Sequence, residues 1–120
     1  MTNNRKVRKI LIEIVKNIKN KYQPEKIILF GSYVYGQPDS NSDIDLLIIK
    51  NTQDRPIDRR VTVSRIISDP KRLIPVETIV LTPKEINERL KIGDQFVKEI
   101  LDKGEVLYAA WGVPLSTGLV

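Results

Sequence analysis

The chain has 120 residues, of which 41% are hydrophobic and 29% charged, a length and composition that suit one domain with its own core. It contains no cysteine and no histidine, which excludes disulfide frameworks, thiolate nucleophiles and imidazole catalysis and leaves oxygen atoms as metal ligands. No apolar run approaches the roughly 18 residues of a membrane span, and no signal-peptide core follows the charged start. We therefore expect a cytoplasmic protein without a membrane partner.

The first predicted element is a basic helix. Residues 1–26 hold eight Lys and Arg residues against two Glu, so this segment carries +6 and the remaining 94 residues sum to −1. Its apolar residues recur at helical spacing and predict one face docked on the core: Val7, Ile10, Leu11, Ile14, Val15, Ile18 and Tyr22. The basic face is typical of a solvated helix, with an acidic partner or nucleic acid as alternatives. The absence of interleaved aromatic residues argues against nucleic acid.

Two short apolar runs, 27–30 and 46–49, predict two buried strands on either side of a distinctive segment. The first run ends at Gly31, which allows a sharp turn and a close approach to a ligand. The second is preceded by Asp43 and Asp45, which alternation places on one strand face with their Cα atoms about 6.5 to 7 Å apart. Two such carboxylates repel each other, so the pattern favours a divalent cation.

A polar turn offers an alternative explanation for part of this segment. Side chains within residues 39–43 can cap their own backbone at the entry to the second strand. That interpretation accounts for residues 39–42. It does not explain why a carboxylate stands at position 45, directly before four apolar residues.

The second half of the chain predicts a helix at 57–68, a strand at 74–81, a helix from Pro83 and a helix at 94–103 that stops at Gly104, with 105–110 as an edge strand. Thr82 and Glu85 have the spacing of a capping box. Glu77 is the only charge in the 74–81 strand. The arginines of the 57–68 helix are expected in solvent, with contact to a triphosphate as the alternative: Arg59, Arg60 and Arg65.

This order of elements predicts an α/β (α+β) domain over residues 1–110, with a small mixed β-sheet and helices packed mainly on one face. Residues 111–120 form an uncharged apolar C-terminal tail that contains the single tryptophan, Trp111. We expect the tail either to pack back on the core or to contact another protein.

The pattern Gly-Ser, ten residues, Asp-x-Asp resembles the signature of the minimal nucleotidyltransferases of the DNA polymerase beta superfamily. The resemblance implies the polymerase-beta-type nucleotidyltransferase fold, with Gly31 and Ser32 binding the nucleotide and with Asp43 and Asp45 as catalytic metal ligands. Glu77 is the candidate for the family's third carboxylate, as a catalytic residue and metal ligand, where Asp is usual; the alternative is a Glu on a solvated strand face or paired with a lysine. The implied cofactor is Mg²⁺, with two ions expected and Mn²⁺ as a substitute.

The resemblance also implies a function: transfer of a nucleotide monophosphate, expected to be AMP from ATP, to a hydroxyl group. Stand-alone domains of this size often pair with a HEPN-type helical protein in toxin-antitoxin modules, so the leading expectation is an antitoxin that modifies this partner. A non-covalent binding module is the alternative, since Glu77, Tyr33 and Tyr35 depart from the family pattern. A nucleotidyltransferase for small molecules is a third option, and a homo-oligomer remains open.

Overall fold

A computed structural model describes residue 2 and residues 4–39 and 41–110. The helices are α1 (Arg5–Tyr22), α2 (Ser32–Tyr35), α3 (Pro56–Ile66), α4 (Pro83–Lys91) and α5 (Gln95–Lys103). The strands are β1 (Lys26–Phe30), β2 (Ile44–Ile49), β3 (Val76–Leu81) and β4 (Glu105–Ala109). The α/β class and the predicted succession of elements are confirmed. The expectation for the tail 111–120 lies outside the described residues.

The four strands form one mixed sheet in the order β3-β2-β1-β4. Strand β1 is antiparallel to both β2 and β4, whereas β2 and β3 are parallel. A parallel pair needs a crossover connection, and helix α3 supplies it between β2 and β3. The sheet therefore has β2 and β1 at its centre, and the segment between them contains the glycine turn.

Helices cover both faces of this sheet, which corrects the expectation that they pack mainly on one. Helices α1 and α3 bury one face against Ile27, Leu46 and their neighbours. Helices α4 and α5 bury the other against residues such as Ile28 and Leu47. The physical reason is that both central strands are apolar at consecutive positions, so each face of the sheet needs a cover.

Helix α1 has the predicted amphipathic character. Its core face contains the buried residues Val7, Leu11, Ile14, Ile18 and Tyr22. The Asn4 side chain caps its start by accepting a hydrogen bond from the Val7 amide at 3.2 Å. No helix in the described part of the chain is long and apolar enough to span a bilayer.

Arg59 does not lie in solvent as expected, because its side chain is only 6% exposed and joins α3 to β3 and α4. Its guanidinium donates to the Glu85 carboxylate at 2.7 Å, to the Asp54 carbonyl at 2.8 Å and to the Val80 carbonyl at 3.4 Å. Glu85 also completes the predicted capping box with Thr82. Burial raises the pKa of Glu85, but the hydrogen bonds from Arg59 and the Thr82 amide outweigh it and leave that pKa lowered.

We expect Arg59→Leu to lower the free energy of unfolding by roughly 2 to 4 kcal/mol, since it leaves a partly buried carboxylate without its cation. Urea denaturation at neutral pH measures this, with exposed Arg60→Leu as the matched control. A carboxylate with a lowered pKa stabilises the fold above its unfolded pKa of about 4.3 and loses that contribution in acid. The difference between wild type and Arg59→Leu should therefore shrink at pH 3; an undiminished difference would refute the ion-pair explanation.

Candidate active site

The predicted site residues meet at the edge of the sheet where β1 ends and where β2 and β3 begin. In the strand register, Asp45 lies opposite Phe30 of β1 on one side and opposite Glu77 of β3 on the other. The Ile44 amide donates to the Pro75 carbonyl at 2.9 Å, which aligns the starts of β2 and β3. Directly paired residues project to the same face of a sheet, so Asp45 and Glu77 share one face.

The glycine bend contacts this carboxylate position directly. Gly31 has φ 84° and ψ −157°, a combination that only glycine adopts readily. A Cβ atom at Gly31 would overlap Oδ2 of Asp45 and would lie 3.2 Å from its Cγ. The structure therefore brings Gly31 and Asp45 together, and the missing side chain is what allows the contact.

Ser32 follows the bend as the first residue of helix α2. The turn is closed by the Val34 and Tyr35 amides, which both donate to the Gly31 carbonyl at 2.9 Å. Within the described part of the chain, the Ser32 hydroxyl forms no hydrogen bond, so it is available to an incoming group. This serine lies one residue from the glycine that contacts Asp45.

Asp43, Asp45 and Glu77 form a cluster of negative charge. Burial raises the pKa of Asp45, and the negative charges of Asp43 and Glu77 raise it further. Among the described residues, none of the three forms an ion pair or a side-chain hydrogen bond. Like charges without a counter-charge are unfavourable for the fold, and a bound cation would relieve this repulsion.

The carboxylates do not form a complete set of metal ligands. No group of three His, Cys, Asp or Glu side chains within the described ranges has the arrangement needed to hold a metal ion. Glu77 in particular is exposed. The donor set nevertheless fits a divalent cation in chemistry and charge, since Mg²⁺ is commonly bound by one or two carboxylates and completed by substrate phosphates and water.

The neighbouring polar turn has a structural role of its own. The Asp39 carboxylate accepts from the Asn41 amide at 2.8 Å, and the Asp39 amide donates to the Ser42 hydroxyl at 2.9 Å. This confirms the self-capping explanation for the turn and excludes it for Asp45, which makes no such bond. Arg60 and Arg65 are exposed, as expected.

Two partly exposed aromatic side chains lie near this edge, and neither was predicted there from the sequence. Half of the surface of Phe96 is exposed, and its ring packs on Phe30, the strand partner of Asp45. Tyr35 is also partly exposed, one turn after Gly31. The sequence contains a weak signal for this exposure. Val97 and Ile100 form the buried face of α5, and Phe96 lies at the margin of that face.

Comparisons with known proteins show which family this chain resembles. The sequence profile described as the nucleotidyltransferase domain matches residues 9–107. Two proteins of Methanocaldococcus jannaschii, each named "Putative protein adenylyltransferase", are similar to this chain. One is 35% identical, covering 83% of this chain and 96% of that protein. The other is 33% identical, covering 82% of this chain and 69% of that protein.

A solved structure is also similar in three dimensions. It is the crystal structure of a "putative nucleotidyltransferase" from Sulfolobus solfataricus, which aligns with a TM-score of 0.61 at 25% sequence identity. The alignment covers 87% of this chain and 81% of that one. The likeness therefore extends over nearly the whole sheet and its helices.

Proposed function

This chain belongs to the nucleotidyltransferase domain family, and from that premise we propose that it transfers AMP from ATP to a hydroxyl group of a partner protein. The observation that carries the proposal is the Asp45 carboxylate in contact with the glycine bend, close enough to the charges of Asp43 and Glu77 for them to raise its pKa. The names of the two archaeal relatives support protein as the acceptor and AMP as the transferred group. We assign the activity to residues 1–110.

In this proposal each site residue has a distinct role. Gly31 and Ser32 bind the triphosphate through the backbone of the bend and the free hydroxyl. Asp43 and Asp45 hold the metal. Nucleotidyltransferase domains generally use divalent metals, and we propose Mg²⁺, in one or two ions, with Mn²⁺ as a substitute. The metal would supply positive charge to the acceptor oxygen and the leaving pyrophosphate.

The proposed reaction is a displacement at the α-phosphorus of ATP. The acceptor oxygen forms the new bond to phosphorus while the bond to the bridging oxygen of the β-phosphate breaks and pyrophosphate leaves. Glu77 accepts the proton of the acceptor hydroxyl, which its exposed position at the sheet edge allows. The proposal places the protein in the cytoplasm, where ATP is available.

The partner we propose is a HEPN-type helical protein encoded by a neighbouring gene, with this chain as the antitoxin that adenylylates it. The incomplete set of metal ligands among the described residues favours a second candidate, in which the site is catalytically impaired and the chain neutralises its partner by binding alone. The two candidates differ in whether a covalent bond forms.

The test is to incubate the protein with ATP labelled on the α-phosphate, Mg²⁺ and the product of the neighbouring gene. We expect label on the partner, none in the presence of chelator, and none with Asp43→Asn. Asp102→Asn, an exposed carboxylate on α5 that pairs with Lys98, is the matched control and should label normally. A tight complex without label would favour the binding module, and neither label nor complex would refute both.

A further inference from the structure

Two partly exposed aromatic side chains lie beside the carboxylate edge without a role in the proposed transfer. Phe96 on α5 is 50% exposed and Tyr35 on α2 is 39% exposed. Single exposed apolar residues are common on protein surfaces and need no explanation. These two are of interest because Tyr35 is bonded to Gly31 of the site, and Phe96 contacts Phe30, the strand partner of Asp45.

Phe96 is held in place by Phe30. Their ring centroids are 5.7 Å apart with an interplanar angle of 83°, which is a favourable edge-to-face arrangement. Phe30 is buried, and in the strand register it lies directly opposite Asp45. Directly opposed residues of antiparallel strands have Cα atoms about 4.5 to 5.5 Å apart. The Phe96 ring is therefore fixed next to the metal-binding edge, with half of its surface still open to solvent.

Tyr35 borders the same space from the glycine bend. Its amide donates to the Gly31 carbonyl at 2.9 Å, so it lies one turn from the glycine. Burial raises the pKa of the Tyr35 phenol, and the negative charge of Glu99 raises it further. Glu99 follows Phe96 by three residues on α5, which places both on one side of that helix. Tyr35 thus lies near the side of α5 that carries Phe96 and Glu99.

We propose that Phe96 and Tyr35 form the subsite for the nucleobase of the bound nucleotide. This rests on the proposed function, because the triphosphate must first be held at Gly31 and at the carboxylates. From there the base extends towards α5 and stacks on the open surface of Phe96, with Tyr35 beside it. Stacking of a base on an aromatic side chain is favourable for every base, because each base has a π-face.

The chemistry of this subsite also predicts its selectivity. Stacking depends on the size of the ring system, so purine nucleotides should bind more tightly than pyrimidine nucleotides. It discriminates weakly between ATP and GTP, since recognition of base edges requires hydrogen bonds rather than π-contact. A positioned aromatic ring that needs no rearrangement also lowers the entropic cost of binding.

The test compares two probes by isothermal titration calorimetry in Mg²⁺: a non-hydrolysable ATP analogue, and tripolyphosphate, which has no base. Phe96→Ala should weaken binding of the ATP analogue about 10-fold and leave tripolyphosphate unchanged. Phe96→Leu, which keeps an apolar contact to Phe30, should show the same selective loss and guards against unfolding of α5. Ile92→Ala removes another exposed apolar side chain, 82% exposed between α4 and α5, and should bind both probes normally.

Each other outcome counts against the subsite. If wild type binds the two probes equally, or if both Phe96 variants bind the ATP analogue normally, the base does not stack there, and the proposed transfer is unaffected. If the Phe96 variants bind ATP normally but label the partner poorly, the ring contacts the acceptor instead, which also overturns the assignment. If wild type binds neither probe, both the subsite and the proposed function fail.

Discussion

An Asp45→Asn variant is expected to lose nucleotidyl transfer by at least about 1,000-fold, because metal-assisted charge stabilisation contributes several kcal/mol to such reactions. The same variant should be more stable than wild type in the absence of metal. Its carboxylate is half-buried and lies close to the charges of Asp43 and Glu77, and the neutral amide removes this repulsion. We expect the free energy of unfolding to rise by roughly 0.5 to 1 kcal/mol, a gain typical of relieved active-site repulsion.

The pH dependence separates this explanation from a general packing effect. A carboxyl group whose pKa is raised by folding destabilises the fold when the pH is above that pKa, and the penalty disappears as the pH falls below its unfolded pKa. The stability advantage of Asp45→Asn should therefore be present at pH 7 and vanish near pH 3. Added Mg²⁺ should raise the melting temperature of wild type but not of the variant. Full activity of Asp45→Asn, or lower stability at neutral pH, would contradict the assignment.

Replacing Gly31 with Ala is expected to damage both stability and activity. Its backbone conformation lies in a region that costs other residues about 1 to 3 kcal/mol, so we expect a loss of that order in urea denaturation. The new Cβ would also overlap the Asp45 carboxylate. Because the metal ligand would be displaced, transfer activity should fall to background even where the variant remains folded.

Gly36→Ala is the matched control for this variant. Gly36 lies five residues later at φ −128°, which any residue adopts, and a Cβ there would come no closer than 3.9 Å to Ser32. Ala at such a position should leave stability unchanged or raise it by up to about 1 kcal/mol. Equal behaviour of the two alanine variants would show that Asp45 is not held against the bend.

The glycine bend and its flanking strands could be predicted from sequence because their signals are local. Two apolar runs, the glycine at position 31 and an alternating pair of aspartates all lie within 23 residues, 27–49. The structure confirms β1, the turn and β2 at nearly the predicted bounds. The position of Glu77 opposite Asp45 depends instead on the parallel pairing of β2 with β3, which local pattern does not specify.

Two predictions from the sequence were wrong in what they said about burial. Continuous apolar strands indicate a sheet covered on both faces, so the runs at 27–30 and 46–49 already contained the signal for helices on each side. Arg59 was assigned to solvent because arginine is rarely buried without a partner. From the sequence, Glu85 was predicted only as a capping residue. The fold shows that its carboxylate both caps α4 and forms the ion pair with Arg59.

The hydrogen bond from Arg59 to the Val80 carbonyl bears on whether the edge strand β3 can pair with a strand of another molecule. The Leu81 carbonyl accepts from the Lys50 amide, towards β2. Carbonyls of neighbouring residues in a strand point to opposite sides. Because β3 is an edge strand, the Val80 carbonyl therefore faces away from the sheet. A strand border with open carbonyls can recruit another polypeptide and start aggregation. The arginine donates to this carbonyl, so at this point of β3 the acceptor that another strand would need is already engaged.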